Sequence, residues 1–389
     1  MSSTAFGARL DSVDLLRGLV MVVMALDHVR DFFTELRFNP TDLSQTNAVL
    51  FFTRWVTHFC APTFVFLAGT GAFLYGSRGR SRNELAGFLV TRGLWLVVLE
   101  FTVIRLGWSF DLSYASLLWV QVIWVIGVSM VVLAGLVYLP LPAIAAFGLV
   151  MIATHNLFDG VTPQSLGVWG PLWTLLHAQG PIALPGGGTL FVVYSLIPWI
   201  GVMAAGYAFG SLLLRPTEER RRLLLRLGLA VTAAFVVLRA LNVYGDPFPW
   251  SSQRTGLLTV LSFLNTTKYP PSLAFLLMTL GPAIASLVWF ERLSGPVARF
   301  LIVFGRVPLF YYVLHVFLIH AVALALGVMA GFPPSTFLKP FFLNPPPGWG
   351  YGMPVVYALW VGVVLALYPV CRWYAGLKAR RRDAWLSYL

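Results

Sequence analysis

The chain has 389 residues, of which 58% are hydrophobic, 15% are aromatic and only 11% are charged. Soluble globular proteins carry about 25% charged residues, so this composition excludes an ordinary soluble domain and predicts a membrane protein with several spanning segments. The formal net charge of +12 does not indicate nucleic acid binding, because the basic residues fall in short clusters between apolar runs. Short loops rich in arginine and lysine mark the cytoplasmic side of a membrane protein.

A membrane-crossing helix needs about 20 largely apolar residues. The sequence predicts an all-α polytopic membrane protein of about ten such helices, forming a single domain of residues 1–389. The basic loops place both termini in the cytoplasm, with residues 1–13 as an N-terminal segment and 376–389 as a basic tail. The predicted spans are 14–34, 48–76, 84–107, 115–138, 142–156, 189–214, 222–243, 269–291, 306–330 and 354–375.

The first span, LLRGLVMVVMALDHVRDFF, contains charged residues that are costly in lipid, at roughly +2.5 to +3.5 kcal/mol for a central arginine or aspartate. Arg17, Met21, Met24, His28 and Asp31 recur at spacings of three and four, which places them on one helix face. Arg17 and His28 are then ~16 Å apart along the helix axis. Asp31 is expected to orient the imidazole of His28.

The second span places Arg54 and His58 four residues apart on one helix face, and Pro62 is expected to kink the helix near His58. Arg54 is interpreted either as a structural partner of Glu100 or as an oxyanion stabiliser together with His58. Asp27 lies off the first helix's stripe and is expected to pair with an arginine of another helix.

Ionisable residues inside spans are rare and by default indicate a functional interior. Arginines toward the cytoplasm suit a nucleotide phosphate, and histidines with carboxylates toward the outside suit proton transfer. The catalytic candidates are His28, His58, Asp31, Arg54 and Glu100, the donor-binding candidates are Arg17, Arg92 and Arg306, and the acceptor-binding candidates are Arg105, Gln121, Arg239, Lys268, His315 and His320.

Purely structural roles are the alternative interpretation of several of these residues. An intramembrane histidine is often an interhelical contact, and Met21 and Met24 suit simple packing. Cys60 has no histidine at helical spacing on its own face and is interpreted as buried and inert. His155 and His177 are interpreted as loop residues, with a contact to an acceptor left open; their spacing matches no zinc motif, and the sequence predicts no metal site.

Several motifs resemble bacterial members of the family that shares the heparan-α-glucosaminide N-acetyltransferase catalytic domain. The motifs are SVDLLRGLVMVVMALDH, THFCAPTFVFLAGTGAFL, IPWIGVMAAGYAFG, LNTTKYPPSLAFLLMTLGP and GRVPLFYYVLHVFLIH. The resemblance implies a ten-helix protein that takes an acyl group from cytoplasmic acyl-CoA and passes it to a sugar or similar acceptor across the membrane.

In a related branch of that superfamily, an arginine and a histidine separated by ten residues on the first helix form the functional signature, and Arg17 and His28 match this spacing. The resemblance thus implies that His28 acts in acyl transfer and that Arg17 positions the donor. The lysosomal members carry their catalytic histidine just after the first helix, but this chain has no histidine between Asp31 and Thr57. The role then falls to His28, to His58 or to another group.

The predicted function is transfer of an acyl group, with acetyl preferred, from acyl-CoA to a hydroxyl or amine of a glycan or small-molecule acceptor. The expected partners are the lipid bilayer, acyl-CoA and that acceptor, without nucleic acid, and a homodimer is left open. The expected location is the bacterial cytoplasmic (inner) membrane, crossed several times. The alternative is a proton-coupled transporter that uses the intramembrane His, Asp and Arg residues.

Overall fold

A computed structural model of the chain describes residues 10–111, 113, 117–381, 383 and 386, and these are mostly helical. Residues 1–9 of the predicted N-terminal segment, and 382, 384–385 and 387–389 of the predicted tail, lie outside the described residues. The α-helices are α1 (Asp11–Phe33), α2 (Ala48–Trp55), α3 (Cys60–Gly76), α4 (Arg82–Leu99), α5 (Arg105–Ser109), α6 (Val122–Leu136), α7 (Leu141–Thr154), α8 (Gly170–Leu176), α9 (Trp199–Phe209), α10 (Thr217–Leu241), α11 (Gly256–Leu264), α12 (Leu273–Phe290), α13 (Pro296–Arg306), α14 (Pro308–Met329) and α15 (Met353–Arg380).

Among the described residues, seven helical stretches are long and apolar enough to cross a membrane, judged by length and composition alone. Two shorter apolar stretches, Val122–Leu136 and Trp199–Leu214, lie where two further spans are predicted. α1 occupies the remaining predicted position, and six of its 23 residues are charged. The chain is therefore a mostly helical polytopic membrane protein. The seven stretches are Ala48–Gly76, Arg82–Ser109, Leu141–Phe158, Thr217–Leu241, Leu273–Phe290, Pro308–Met329 and Met353–Arg380.

A small sheet adds to the predicted all-α fold and shortens two of the predicted spans. Strand β3 (Thr189–Val192) lies between β1 (Leu117–Val120) and β2 (Gly180–Ala183), and it pairs with β2 in antiparallel register. The prediction of one span over 189–214 is therefore wrong at its start, because α9 begins only at Trp199. A short apolar run has the same hydropathy in a strand as in a helix, which is why composition alone did not separate them.

Two long helical stretches are interrupted by segments of different helical pitch. Between α2 and α3, residues Val56–Phe59 form a 3₁₀ turn that contains His58. This confirms the predicted break, because the ring of Pro62 clashes with the carbonyl four residues earlier in a regular helix. Between α4 and α5, residues Glu100–Ile104 form a π-helix, a type of bulge that is frequent at functional sites.

The chain divides into two compact units. Unit 1 comprises Ala61–Val98 and Trp119–Leu293 together with the described residues before Asp14. Within it α10 packs along α12 and α7 packs along α9. These contacts use small residues: a Cβ built on Gly228 would press on Ala285, and one built on Gly148 would press on the carbonyl of Gly201. Small residues let helix backbones approach closely in a membrane protein.

Unit 2 comprises Asp14–Cys60, Leu99–Leu118 and the described residues from Ser294 onward. Within it α14 packs against α5, α13 and α15. α1 crosses α13 so closely that a Cβ on Gly18 would overlap the carbonyl of Leu301, and one on Gly305 would overlap the carbonyl of Asp14. All five predicted catalytic residues belong to this unit.

Candidate active site

The centre of the candidate site is a pair of histidines from α1 and α14. Nδ1 of His28 lies 2.7 Å from Nε2 of His315, although 287 residues separate them in the sequence. The two ring planes are within 11° of parallel and their centroids are 4.9 Å apart. This geometry fits an in-plane hydrogen bond between the two rings. His315 is fully buried and His28 is half-buried, so His28 is the more accessible member of the pair.

The hydrogen bonds of the pair define which ring nitrogens carry protons. Nδ1 of His315 lies 2.9 Å from the carbonyl oxygen of Tyr311, which can only accept, so this nitrogen donates. In a neutral ring, Nε2 of His315 is then an acceptor, and Nδ1 of His28 donates to it. The same rule leaves the lone pair of neutral His28 on Nε2. That nitrogen is therefore the one able to take a proton from a substrate.

Aromatic side chains from α5 and α14 hold the ring of His28 in place. The ring of Trp108 stands edge-on to it, with 4.8 Å between centroids and 71° between planes. The ring of Tyr312 lies 6.0 Å away at 83°, and Nε1 of Trp108 donates to the hydroxyl of Tyr312 at 3.4 Å. The orientation of His28 is thus fixed by packing as well as by the hydrogen bond to His315.

The charged residues beside His28 form an ion network, which includes Asp31, the residue expected to orient the His28 ring. Asp31 pairs with Arg30 at 2.6 Å, so the expected role of Asp31 in orienting His28 is taken by His315. Arg30 also pairs with Asp27 at 2.8 Å, and Arg54 pairs with Asp27. The prediction that Asp27 pairs with an arginine of another helix is confirmed. Arg54 is thus held by Asp27 within a network that joins Arg30 and Arg54 to Asp27 and Asp31.

A second, cationic group lies toward the start of α1. Arg17 and Arg306 approach the same carboxylate, Asp14, at 3.3 Å and 3.7 Å, and Arg17 also donates to the carbonyl of Gly305 at 3.2 Å. Two cations therefore share one anion. The side chain of Arg17 is 20% exposed and that of Arg306 is 42% exposed, so both can reach a ligand. The first turn of α14 follows at Pro308, and a helix N-terminus favours negative charge.

The remaining catalytic candidates are deeply buried. His58 is 4% exposed in the 3₁₀ turn, and Glu100 is fully buried at the start of the π-helix. Cys60 is buried and its sulfur lies 3.3 Å from the carbonyl of Val20, as expected of an inert cysteine. Met21 and Met24 are also buried, which matches the packing interpretation of that stripe.

Three of the predicted acceptor-binding residues direct their hydrogen-bonding groups at backbone carbonyls. Arg105 donates to the carbonyls of Asp111, at 2.7 Å, and Ser113. The two ring nitrogens of His320 face the backbone carbonyls of Gly107 and Phe337, at 2.9 Å and 2.6 Å. In unit 1, Arg239 donates to four carbonyls between 2.8 Å and 3.2 Å. These contacts favour structural roles for all three.

Three other predicted residues belong to unit 1, whereas the His28 pair and the Arg17 group belong to unit 2. Arg92 lies in α4 with its guanidinium 6.0 Å from the ring centre of Phe88. Gln121 is the residue before α6, and Lys268 lies with its ammonium 5.1 Å from the ring centre of Tyr269. Within unit 2 the structure groups Arg17 with Arg306, and Arg92 belongs to unit 1.

Unit 1 also contains a histidine and carboxylate cluster that the sequence did not predict. His155, Asp159 and His177 each offer one ligand atom, and these atoms lie within 4.8 Å of one another. Burial lowers the pKa of His177, partly offset by its hydrogen bond to the carbonyl of His155. Burial likewise raises the pKa of Asp159, partly offset by the amide of Asn156. Spacings of four and eighteen residues match no common motif, so the residue pattern does not indicate this cluster.

Comparison with models of protein families identifies the family of this chain. The family model described as heparan-alpha-glucosaminide N-acetyltransferase, catalytic, matches residues 9–245, which is 237 of the 389 residues. The chain belongs to this family. The match includes Arg17, His28 and His58 and ends before His315. No curated protein matches the chain.

Membership in the heparan-alpha-glucosaminide N-acetyltransferase family indicates transferase activity in a membrane protein. It confirms the predicted family and agrees with an acyltransferase, and it gives the transporter alternative no support. His315 lies outside the matched segment, and only the packing of α14 reveals it as the partner of His28.

Proposed function

We propose that the protein transfers an acyl group, preferentially acetyl, from cytoplasmic acyl-CoA to a hydroxyl or amine of a glycan or similar acceptor on the other side of the membrane. Membership in the family supports the reaction class. The observation that carries the mechanism is the hydrogen-bond chain from Tyr311 through His315 to His28, which leaves the lone pair on Nε2 of His28.

His28 acts as the general base of this reaction. Its Nε2 takes the proton from the acceptor hydroxyl or amine while the acceptor atom bonds to the carbonyl carbon of the thioester. The carbon–sulfur bond then breaks, and His28 returns the proton to the thiolate of CoA. The products are the acylated acceptor and free CoA, and the reaction needs no acyl-enzyme intermediate.

His315 is a positioning residue that supports this cycle. When His28 becomes an imidazolium, its Nδ1–H donates a charge-assisted hydrogen bond to Nε2 of His315, which is stronger than the neutral bond in the resting pair. The interaction thus stabilises the charged form more than the neutral one. Only interactions that strengthen toward the transition state accelerate the chemical step.

The donor phosphates bind at Arg17 and Arg306. Both arginines face the carboxylate of Asp14, and their guanidinium groups suit bidentate binding of phosphate. From Arg17 to His28 the helix rises ~16 Å, a length that an extended pantetheine arm can cover. The donor thus binds at one end of α1 and the reaction takes place near the other.

The direction of transfer follows from the charge of the loops. Clusters such as GSRGRSR, RPTEERRRLLLR and KARRRD support a cytoplasmic location of those loops, of both termini and of the Arg17 end of α1. His28 then lies toward the outer face of a bacterial cytoplasmic membrane. The predicted outer loops are rich in glycine, proline and aromatic residues, which suit the faces of sugar rings.

The test uses the purified protein in inside-out vesicles. Labelled acetyl-CoA is supplied outside the vesicles, and a panel of hydroxyl and amine acceptors is enclosed within. We expect label to accumulate on a lumenal acceptor with the wild-type protein and to be lost with His28→Ala. Label that remains on CoA across a wide acceptor panel, together with proton flux driven by a solute, would instead favour the transporter.

A further inference from the structure

A histidine and carboxylate cluster at the end of α7 and the end of α8 lies outside the site described above. His155 opens the 3₁₀ turn His155–Phe158, Asp159 follows that turn, and His177 follows α8. One ligand atom from each residue lies within 4.8 Å of the other two. Donor atoms around a tetrahedral zinc ion lie about 3.3 Å apart, so small side-chain rotations bring these three into coordination distance.

His155 provides an independent indication that a ligand binds here. The residue is only 2% exposed, yet among the described residues neither of its ring nitrogens has a hydrogen-bond partner. Buried polar side-chain atoms in folded proteins nearly always have a partner. A cation bound by one ring nitrogen would give that atom a partner, and its neighbours in the cluster carry the other two donor atoms.

The other two members of the cluster are held in place by further contacts, as metal ligands usually are. Oδ2 of Asp159 accepts from the amide of Asn156 at 2.8 Å, and Asn156 in turn accepts from the backbone of Leu273 at 2.9 Å. The ring of His177 stacks on Trp173, with 5.0 Å between centroids and 15° between planes. Trp173 is itself anchored by a 2.8 Å hydrogen bond to the carbonyl of Val161.

The donor set selects the type of cation. Two imidazoles and one carboxylate suit zinc and related divalent transition metals, whereas magnesium and calcium prefer oxygen ligands alone. Three protein ligands leave a fourth position for water or a substrate group, which is typical of open zinc sites. We infer that His155, Asp159 and His177 bind one divalent transition-metal ion, preferentially zinc, which links the end of α7 to the end of α8.

The test measures metal binding and metal-dependent stability, neither of which depends on the proposed acyl transfer. The full-length protein in detergent is treated with a chelator, dialysed and titrated with Zn²⁺ alone. We expect one tightly bound zinc per chain and a rise in the thermal unfolding midpoint on adding zinc. Co²⁺ in place of zinc should give the visible absorption of a tetrahedral site with nitrogen and oxygen ligands.

Asp159→Asn is the most informative variant, because the asparagine has nearly the same shape and its oxygen can still accept from Asn156. Changes near a metal ion lower affinity by 10- to 100-fold even outside the ligand shell, so loss of a ligand should weaken zinc binding by about 100-fold or more. His177→Gln should do the same. Asp42→Asn, which changes a half-buried carboxylate of unit 2 outside the cluster, should leave zinc binding as in the wild type.

Two results would overturn the inference. One is a wild-type protein that binds much less than one zinc per chain and shows no zinc-dependent change in its unfolding midpoint. The other is an adventitious ion only, in which zinc binds but Asp159→Asn and His177→Gln retain the wild-type affinity. If either variant does not fold, the Co²⁺ spectrum of the wild-type protein decides, because a surface-bound ion lacks the strong tetrahedral bands.

Discussion

The hydrogen bond between His28 and His315 makes a quantitative prediction for His315→Ala. The substitution removes the acceptor of the Nδ1–H of His28, 2.7 Å away. A hydrogen bond to a charged group contributes about 1.5–3 kcal/mol, and the bond is charged in the transition state proposed here. At about 1.4 kcal/mol per tenfold, His315→Ala should lower kcat by roughly 10- to 100-fold.

A conservative variant separates this effect from simple loss of packing. In His315→Gln the side-chain oxygen lies near the position of Nε2 and can accept from His28, so it should recover most of kcat. His320→Gln is the matched control, since this histidine is also fully buried on α14 but faces backbone carbonyls. We expect it to lower the thermal midpoint and to leave kcat close to that of the wild type.

The assay is initial-rate acyl transfer in vesicles with saturating donor, with unfolding midpoints measured in parallel. Wild-type kcat in His315→Ala would refute the positioning role of His315. Equal losses in His315→Gln and His315→Ala would show that the hydrogen-bond acceptor is not what this residue contributes.

Three further predictions address the donor site and the packing of unit 2. Arg17→Gln should raise KM for acyl-CoA by about 10- to 100-fold with little change in kcat, because one charge-assisted hydrogen bond is lost. Arg299→Gln, on the exposed side of α13, should leave KM unchanged. Equal KM values for the two variants in kinetic titrations would contradict the donor site. Gly305→Ala should lower the free energy of unfolding by about 1–3 kcal/mol in denaturant titrations because its Cβ overlaps α1, and Gly362→Ala, which has open space around it, should not. Asp27→Asn should destabilise the folded protein by up to about 3–5 kcal/mol, since it removes the negative charge that two mostly buried arginines share. A variant with wild-type stability in thermal unfolding would show that the network contributes little.

The helices were largely predictable because a membrane imposes length and hydropathy on each of them. The predicted span 48–76 coincides with the stretch Ala48–Gly76. The prediction for 189–214 was wrong at its start because β3 and α9 are both apolar, and only the pairing of β3 with β2 distinguishes them. The π-helix at Glu100 was also not predictable, since nothing in the residue pattern signals the extra residue.

The candidate site was only partly predictable, because helical spacing describes one helix at a time. Helical spacing predicts that Arg17 and His28 share one face of α1. It also predicts that Asp31 orients His28, whereas in the structure Asp31 pairs with the adjacent Arg30. The contact between His28 and His315 depends on how α1 and α14 pack, which no local spacing contains. The cluster around His155 was missed for the same reason, since its third member comes from another helix end.

In the proposed mechanism His28, and not His58, takes the proton from the acceptor. The most direct test is the single-turnover rate of acyl transfer, with bound donor and excess acceptor, compared between the wild type, His28→Ala and His58→Ala. General base catalysis contributes about 10²- to 10⁴-fold, so His28→Ala should slow the chemical step by that factor. His58→Ala should keep a rate near that of the wild type in the folded fraction. A wild-type rate in His28→Ala, or a larger loss in His58→Ala, would contradict the account.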